Sequence, residues 1–130
     1  MKLKILIVED HDISALFLTE IIQNLAREIL YATNGIKGIE HFRNHSDIDL
    51  ILMDIKLPDI NGYEVTRQIR LFNKDIIIIA QTAFAQNGEE EKALSAGCNY
   101  YITKPINKTD LLNLIKSIFK IDLNTTQKKV

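Results

Sequence analysis

The chain has 130 residues, a formal net charge of -1, 46% hydrophobic residues and 25% charged residues. This length fits a single domain, and the near-neutral charge provides no basic field that would attract DNA or an anionic membrane. The one cysteine, Cys98, cannot form an intramolecular disulfide. We therefore expect a reduced, cytoplasmic protein that makes no direct contact with nucleic acid or membrane.

The first third of the chain predicts two strands and two helices. An apolar run from Leu3 to Val8 predicts the first strand. Apolar side chains recur with helical spacing from Leu18 to Leu25, and Asp12 is placed to cap the start of that helix. A weaker strand from Glu28 to Ala32 then precedes a helix over about Gly35 to Asn44.

The rest of the chain predicts three further strands. Apolar runs from Leu50 to Met53 and from Ile76 to Ala80 are nearly continuous, and a weaker candidate covers Asn99 to Ile102. Continuous apolar runs are typical of parallel strands that are covered on both faces, whereas strands with one solvated face alternate.

Three helices separate and follow these strands. Asn61 and Glu64 have the spacing of a capping box at the start of one helix. The next spans about Gly88 to Ala96, with Gly97 as its stop, and the last has an apolar face within 111–119. Strands alternating with helices predict a doubly wound α/β domain, in which crossover helices cover both faces of a parallel sheet.

Polar residues with useful chemistry follow four of the predicted strands. Glu9 and Asp10 follow the first strand, Asp54 the third, Thr82 the fourth and Lys104 the fifth. Open α/β sheets bind ligands beyond the carboxyl ends of their strands. We therefore expect these side chains to line one site.

The predicted site favours phosphoryl chemistry. Three carboxylates at one edge would repel each other unless protons or a cation relieved them, and Mg²⁺ binds one or two carboxylates together with phosphate oxygens. A carboxylate such as Asp54 can act as a nucleophile toward phosphorus. Lys104 and Thr82 could then stabilise the charge of the phosphoryl group.

Four sequence segments resemble the receiver domains of bacterial two-component response regulators, and the resemblance extends over about residues 3–119. The segments are Val8-Glu9-Asp10, the run from Met53 to Glu64, Thr82-Ala83 and the run from Tyr101 to Pro105. The resemblance implies a flavodoxin-like fold, with a five-stranded parallel sheet in the order 2-1-3-4-5 and helices on both faces.

The resemblance also implies a role for each site residue. Asp54 would be the phosphoacceptor, assisted by Lys104, and Asp10 and Asp54 would bind Mg²⁺ or Mn²⁺. Glu9 would act on the metal through water, and Lys56 through its backbone carbonyl. The Lys104-Pro105 bond would be cis, as is typical of the family.

The resemblance further implies a switch and partners. Thr82 and Tyr101 would be the switch pair, and the surface formed by the fourth helix, fifth strand and fifth helix would carry the output. The phosphodonor would be a histidine kinase or a histidine phosphotransfer domain. Once phosphorylated, the domain would bind an unknown downstream protein or form a homodimer. Such a domain phosphorylates and slowly dephosphorylates itself, and is not otherwise an enzyme.

Three other functions compete with this interpretation. An aspartyl-nucleophile phosphatase would use Asp10 and Asp12 as its Asp-x-Asp pair, but the chain has no room for a capping domain. A flavin or nucleotide binder would need a glycine-rich phosphate loop where this chain has acids. A degenerate receiver that serves only for binding would be expected to lack Asp54 or Lys104.

The domain is predicted to span residues 1–121, followed by a polar, flexible tail over 122–130. Since no DNA-binding domain follows the last helix, we expect either a stand-alone regulator or a piece of a larger protein. Details in the segments 9–14, 82–85 and 104–106 resemble the receivers of hybrid sensor kinases.

Overall fold

The computed structural model describes residues 2–83 and 88–121. Within these ranges, five strands alternate with five α-helices. They are β1 Leu3–Val8, α1 Asp12–Ile22, β2 Ala26–Ala32, α2 Gly35–Asn44, β3 Leu50–Asp54, α3 Gly62–Phe72, β4 Ile77–Thr82, α4 Glu89–Ala96, β5 Tyr100–Thr103 and α5 Lys108–Ile118. A 3₁₀ turn over Gln23–Leu25 joins α1 to β2. None of the helices in these ranges is long and apolar enough to cross a membrane.

The strands form one parallel sheet in the order β2-β1-β3-β4-β5, which confirms the predicted doubly wound architecture. The register aligns the carboxyl ends of the four strands that carry candidate site residues. Val8 pairs with Met53, Asp54 with Gln81, and Thr82 with Thr103. Residues at and just after these ends therefore meet at one edge of the sheet.

Each face of the sheet buries its own apolar cluster, as the continuous apolar runs predict. Ile5 and Ile7 of β1 belong to a cluster that includes residues of α1 and α5. Leu6 and Val8 belong to the opposite cluster, which includes residues of α2, α3 and α4. Helices therefore cover both faces, and the loops at the strand ends are left to form a site.

Most predicted boundaries agree with the structure to within two residues. The second helix, Gly35–Asn44, is confirmed as predicted, and Gly97 ends α4 in the left-handed conformation with φ 112°. The fourth strand extends further than its apolar run suggests, so Thr82 is its last residue instead of following it. The Lys104-Pro105 peptide is cis, as the resemblance implies.

One predicted cap is wrong, and another is only half formed. Asp12 does not cap α1 but is its first residue. The N-cap of this helix is His11, whose side chain forms no capping bond. The charge of Asp12 still lies at the positive end of the helix. Asn61 does cap α3, because its Oδ1 accepts a 3.0 Å bond from the Glu64 backbone N–H. The Glu64 carboxylate instead binds Arg67 and Gln68.

The predicted tail over 122–130 lies outside the described residues, as do Phe84 and Ala85 of the hybrid-kinase resemblance. The domain boundary at residue 121 stays a prediction.

Candidate functional site

A cavity of about 580 Å³ opens at the edge of the sheet where the strand ends meet. We call it the acidic pocket. Its lining comes from the segments that follow four strands, and from the first turns of α3 and α4. Among the lining residues are Asp10, Asp54, Lys56, Thr82 and Lys104. The structure thus brings most of the predicted site residues together, at the strand ends where the sequence places them.

Three carboxylates gather at the acidic pocket: Asp10 and Asp54 line it, and Glu9 lies beside them. One oxygen from each of Glu9, Asp10 and Asp54 lies within 4.8 Å of the others. The side chain of Glu9 is 0% exposed, that of Asp54 3% and that of Asp10 25%. Because burial removes the water that would screen these charges, the group needs positive charge from elsewhere.

Lys104 supplies part of that positive charge. Its Nζ donates a 3.1 Å hydrogen bond to Asp54 Oδ1 and lies 3.5 Å from Glu9 Oε1. Burial acts to lower the pKa of Lys104, but the hydrogen bond to Asp54 and the charges of both acids outweigh it and raise that pKa above its usual value. The lysine is therefore held as a cation against Asp54.

Glu9 and Asp10 retain carboxylate oxygens that accept no hydrogen bond from the described residues, although Glu9 Oε1 lies 3.5 Å from Lys104 Nζ. Glu9 Oε2 accepts a 3.2 Å bond from the His11 backbone N–H, whereas Glu9 Oε1 and Asp10 Oδ1 are buried and without a hydrogen-bond donor in the described ranges. Burial, followed by the negative charge of Asp54, raises the pKa of Glu9. Unsatisfied oxygens in an all-oxygen acidic group fit a hard divalent cation such as Mg²⁺.

The predicted switch residues lie on adjacent strands at different depths. Thr82 is 4% exposed and lines the acidic pocket, and its backbone carbonyl accepts a 2.7 Å bond from the Lys104 N–H. Tyr101 is partly buried against the apolar cluster that includes residues of α2, α3 and α4, and it does not line the acidic pocket. Its neighbour Tyr100 is 39% exposed.

The loop between β3 and α3 is folded tightly around the acidic pocket. A side chain on Gly62 could not fit, because its Cβ would lie 2.3 Å from the Asp54 carbonyl oxygen. The Gly62 N–H donates a 2.8 Å bond to the Ile55 carbonyl. Lys56, on the same loop, is exposed and lines the pocket.

Asp59 anchors the far side of that loop. Its carboxylate accepts bonds of 2.8 and 2.9 Å from the backbone N–H groups of Gly35 and Ile36, at the start of α2. Burial acts to raise the pKa of Asp59, but these bonds outweigh it and lower that pKa. Anions are stabilised at helix N-termini, so Asp59 ties the loop to α2.

Two residues that the sequence analysis did not assign to the site also line the acidic pocket. Tyr63 Oη donates a 2.5 Å hydrogen bond to Glu89 Oε2, which joins the first turns of α3 and α4. Burial, and then this bond, raise the pKa of Tyr63. Tyr63 and Glu89 are 26 positions apart, and no periodic pattern in the sequence relates them. Each lies in the first turn of a helix that follows a strand, however, and this position alone suggests that it lies near the site edge of the sheet.

The fold and the acidic pocket together define a flavodoxin-like α/β domain with a buried acidic site beyond its strand ends. Residues 5–116 match the response regulator receiver domain family. The chain belongs to this family of two-component signalling domains, as its motifs indicate.

Known relatives agree with this assignment over nearly the whole chain. The polar-differentiation response regulator DivK of Brucella anthropi is 37% identical over 119 residues, which are 90% of this chain and 96% of that protein. The receiver domain of Ssk1 from Saccharomyces cerevisiae, solved with the histidine phosphotransfer protein Ypd1, is 30% identical with a TM-score of 0.83, covering 95% and 94% of the two chains. The receiver domain of the sensor histidine kinase PA1611 from Pseudomonas aeruginosa, solved with magnesium in its active site cleft, is 31% identical with a TM-score of 0.80, covering 90% and 97%.

Proposed function

We propose that this receiver domain accepts a phosphoryl group on Asp54 from a histidine kinase or a histidine phosphotransfer domain, in a reaction that depends on Mg²⁺ or Mn²⁺. The supporting observation is the 3.1 Å bond between Lys104 Nζ and Asp54 Oδ1 beside two other carboxylates, the buried Glu9 and the partly buried Asp10. A small phosphodonor tests the proposal, since it should leave one hydroxylamine-labile phosphoryl group on the protein.

The reaction exchanges one bond to phosphorus for another. A carboxylate oxygen of Asp54 attacks the phosphorus of a phosphohistidine, a P–O bond forms, and the P–N bond to the imidazole breaks. The released imidazole nitrogen keeps the bonding electron pair and takes a proton. The product is an aspartyl phosphate, which water later hydrolyses slowly, so the domain is a signalling acceptor more than an enzyme.

The neighbours of Asp54 have separate roles in this proposal. Lys104 pairs with the phosphoryl oxygens, and the Thr82 hydroxyl donates to them. Asp10 and Asp54 would hold the metal directly, Glu9 would act on it through water, and the Lys56 backbone carbonyl would provide a further ligand. The divalent cation, when bound, neutralises charge on the carboxylates and on the phosphoryl oxygens.

Mg²⁺ is expected to stabilise the folded protein by relieving repulsion among Glu9, Asp10 and Asp54. A ligand at ten times its Kd contributes about 1.4 kcal/mol, which for a domain of this size raises Tm by roughly 3–6 °C. Asp10→Asn should raise the Tm measured in EDTA, because it removes one charge, and should abolish most of the Mg²⁺ response. Differential scanning calorimetry with and without Mg²⁺ measures both effects.

Asp75→Asn is the matched control for this measurement, because Asp75 is exposed and lies before β4, at the opposite end of the sheet. Its Mg²⁺ response should equal that of the wild type. An equal response in Asp10→Asn would mean that the ion binds elsewhere.

The output of this domain is proposed to pass from Thr82 to Tyr101. In this scheme the Thr82 hydroxyl moves toward the phosphoryl group, Tyr101 moves inward, and the surface of α4, β5 and α5 changes shape. A downstream protein, or a second phosphorylated copy, would bind that surface. We place these events in the cytoplasm, where histidine kinases deliver phosphoryl groups.

An exposed apolar face on α1 supports the proposal that the phosphoryl group comes from a protein that binds this domain. Ile13, Leu16 and Phe17 are 83%, 64% and 43% exposed. Ile13 and Phe17 also line a second cavity, of about 250 Å³, whose wall includes Glu9 and Lys104. Apolar side chains beside a reactive pocket are typical of interaction surfaces. We propose that the phosphodonor protein packs on this face of α1.

Leu16→Lys is expected to slow phosphorylation by a histidine-phosphorylated phosphotransfer domain at least tenfold, because a buried lysine would destabilise the complex by more than about 1.4 kcal/mol. Phosphorylation by acetyl phosphate should be unchanged, because this donor needs no protein interface. Leu71→Lys is the matched control, since Leu71 is 81% exposed on α3. Equal transfer rates in the two variants would contradict a donor surface on α1.

A further inference from the structure

A hydrogen bond between Tyr63 and Glu89 joins two helices at the lining of the acidic pocket. Tyr63 is the second residue of α3, and Glu89 is the first residue of α4. The Tyr63 hydroxyl donates to Glu89 Oε2 at 2.5 Å, and both residues line the same cavity as Asp54, Thr82 and Lys104. The bond thus links α3 to α4 beside the proposed phosphorylation site.

The environment of the bond makes it costly to break. The Glu89 side chain is 17% exposed, and its second oxygen lies 3.8 Å from Lys92 Nζ. Tyr63 packs against the apolar cluster that contains Ala93 of α4, which is fully buried. Hydrogen bonds to a charged acceptor are stronger than neutral ones, and a partly buried carboxylate that loses its donor remains poorly solvated.

The same carboxylate also acts on the predicted switch residue. Tyr101 packs against the same apolar cluster as Tyr63, on the strand beside α4. Burial, and then the negative charges of Glu89 and Glu90, raise the pKa of Tyr101. Glu89 therefore acts electrostatically on Tyr101 while it accepts a hydrogen bond from Tyr63.

We propose that the Tyr63–Glu89 hydrogen bond is a latch that holds the first turn of α4 against α3, and that it opposes the rearrangement by which phosphorylation of Asp54 reaches Tyr101. This inference rests on the proposed phosphoacceptor function. Tyr63 is a positioning residue in this account. A displacement of α4 away from α3 must break the latch, whereas a protein without the latch makes the same displacement at lower cost.

Loss of the latch is therefore expected to favour the phosphorylated arrangement. Beryllofluoride with Mg²⁺ binds carboxylates as a mimic of a phosphoryl group and so reports this arrangement at equilibrium. Tyr63→Phe should bind beryllofluoride about fivefold more tightly than the wild type, which corresponds to about 1 kcal/mol. Isothermal titration calorimetry measures the Kd. The rate of phosphorylation by acetyl phosphate should rise in parallel.

A double-mutant cycle separates the latch from a general loss of stability. Glu89→Ala should tighten beryllofluoride binding as Tyr63→Phe does, and the double variant should gain no more than either single variant. Tyr31→Phe is the matched control, because the Tyr31 hydroxyl pairs with Thr19 at 2.7 Å on the far side of the molecule. The Tyr31→Phe variant also loses a hydroxyl contact, but its affinity for beryllofluoride should equal that of the wild type.

Unchanged or weaker beryllofluoride binding in both Tyr63→Phe and Glu89→Ala, with normal binding by the wild type, would overturn the latch and leave the phosphoacceptor function intact. Additive effects in the double variant would also overturn it, because the two side chains would then act independently. Failure of the wild type and of Tyr31→Phe to bind beryllofluoride would instead contradict the phosphoacceptor function itself.

Discussion

Asp54→Asn is expected to abolish phosphoryl transfer from a histidine-phosphorylated phosphotransfer domain. The amide nitrogen and oxygen are poor nucleophiles, and no other carboxylate in the described segments pairs with Lys104 as closely as Asp54 does, at 3.1 Å. Radiolabel that leaves the donor and appears on the receiver, followed over time, measures the transfer. The wild type should accept label within the assay, and the variant should accept none.

This loss should not arise from unfolding. Asp54 belongs to a repelling group of three acids, so removing its charge should leave the Tm unchanged or higher. Asp75→Asn, which removes an exposed charge at the other end of the sheet, should transfer normally. Label that accumulates on Asp54→Asn at the rate of the wild type would show that another residue is the acceptor.

Lys104→Met is expected to slow phosphorylation by acetyl phosphate about 10²- to 10³-fold, the usual cost of removing one donor from a developing anionic centre. The raised pKa of Lys104 keeps the lysine charged, so the wild type presents a full cation to the phosphoryl oxygens. Methionine fills similar space without that charge. The rate constant from intact-mass time courses, with Mg²⁺ in excess, measures the effect.

Metal binding provides the internal check on this variant. The oxygens that fit Mg²⁺ belong to acids, so the stabilisation of Lys104→Met by Mg²⁺ should resemble that of the wild type. Lys37→Met, at an exposed position of α2, should leave both quantities unchanged. If Lys104→Met lost the Mg²⁺ response and the phosphorylation rate together, the proposed role of this lysine would be wrong.

The sequence predicts the fold and the location of the site because both depend on strong local signals. Runs such as Leu3 to Val8, in which Lys4 is the one polar residue, are nearly continuous because the inner strands are buried on both faces, and the structure confirms this burial for every residue of β1. The polar residues that follow such runs lie at the carboxyl ends of the strands. Parallel strands place those ends at one edge, so Asp10, Asp54 and Lys104 meet there.

The remaining contacts depend on side chains that meet across loops, which no local pattern encodes. The Tyr63–Glu89 bond depends on how α4 packs against α3. Gln81 is 1% exposed, and neither of its amide atoms has a partner among the described residues, a feature that an apolar strand pattern does not predict. The cap assigned to Asp12 fails because α1 starts one residue earlier than that cap requires.

The structure also bears on the competing functions. Asp12 is exposed in α1 and does not line the acidic pocket, so the Asp-x-Asp pair of a phosphatase is not assembled there. The pocket has acids where a nucleotide site needs phosphate-binding glycines and amides. Asp54 and Lys104 are present and paired, which argues against a degenerate receiver.

The most direct test of the phosphoacceptor function is the intact mass of the wild-type protein after incubation with acetyl phosphate and Mg²⁺. We expect a gain of one phosphoryl group, which requires Mg²⁺, is lost on treatment with hydroxylamine and maps to the peptide that contains Asp54. An unchanged mass in the wild type, or the same gain in Asp54→Asn, would contradict it.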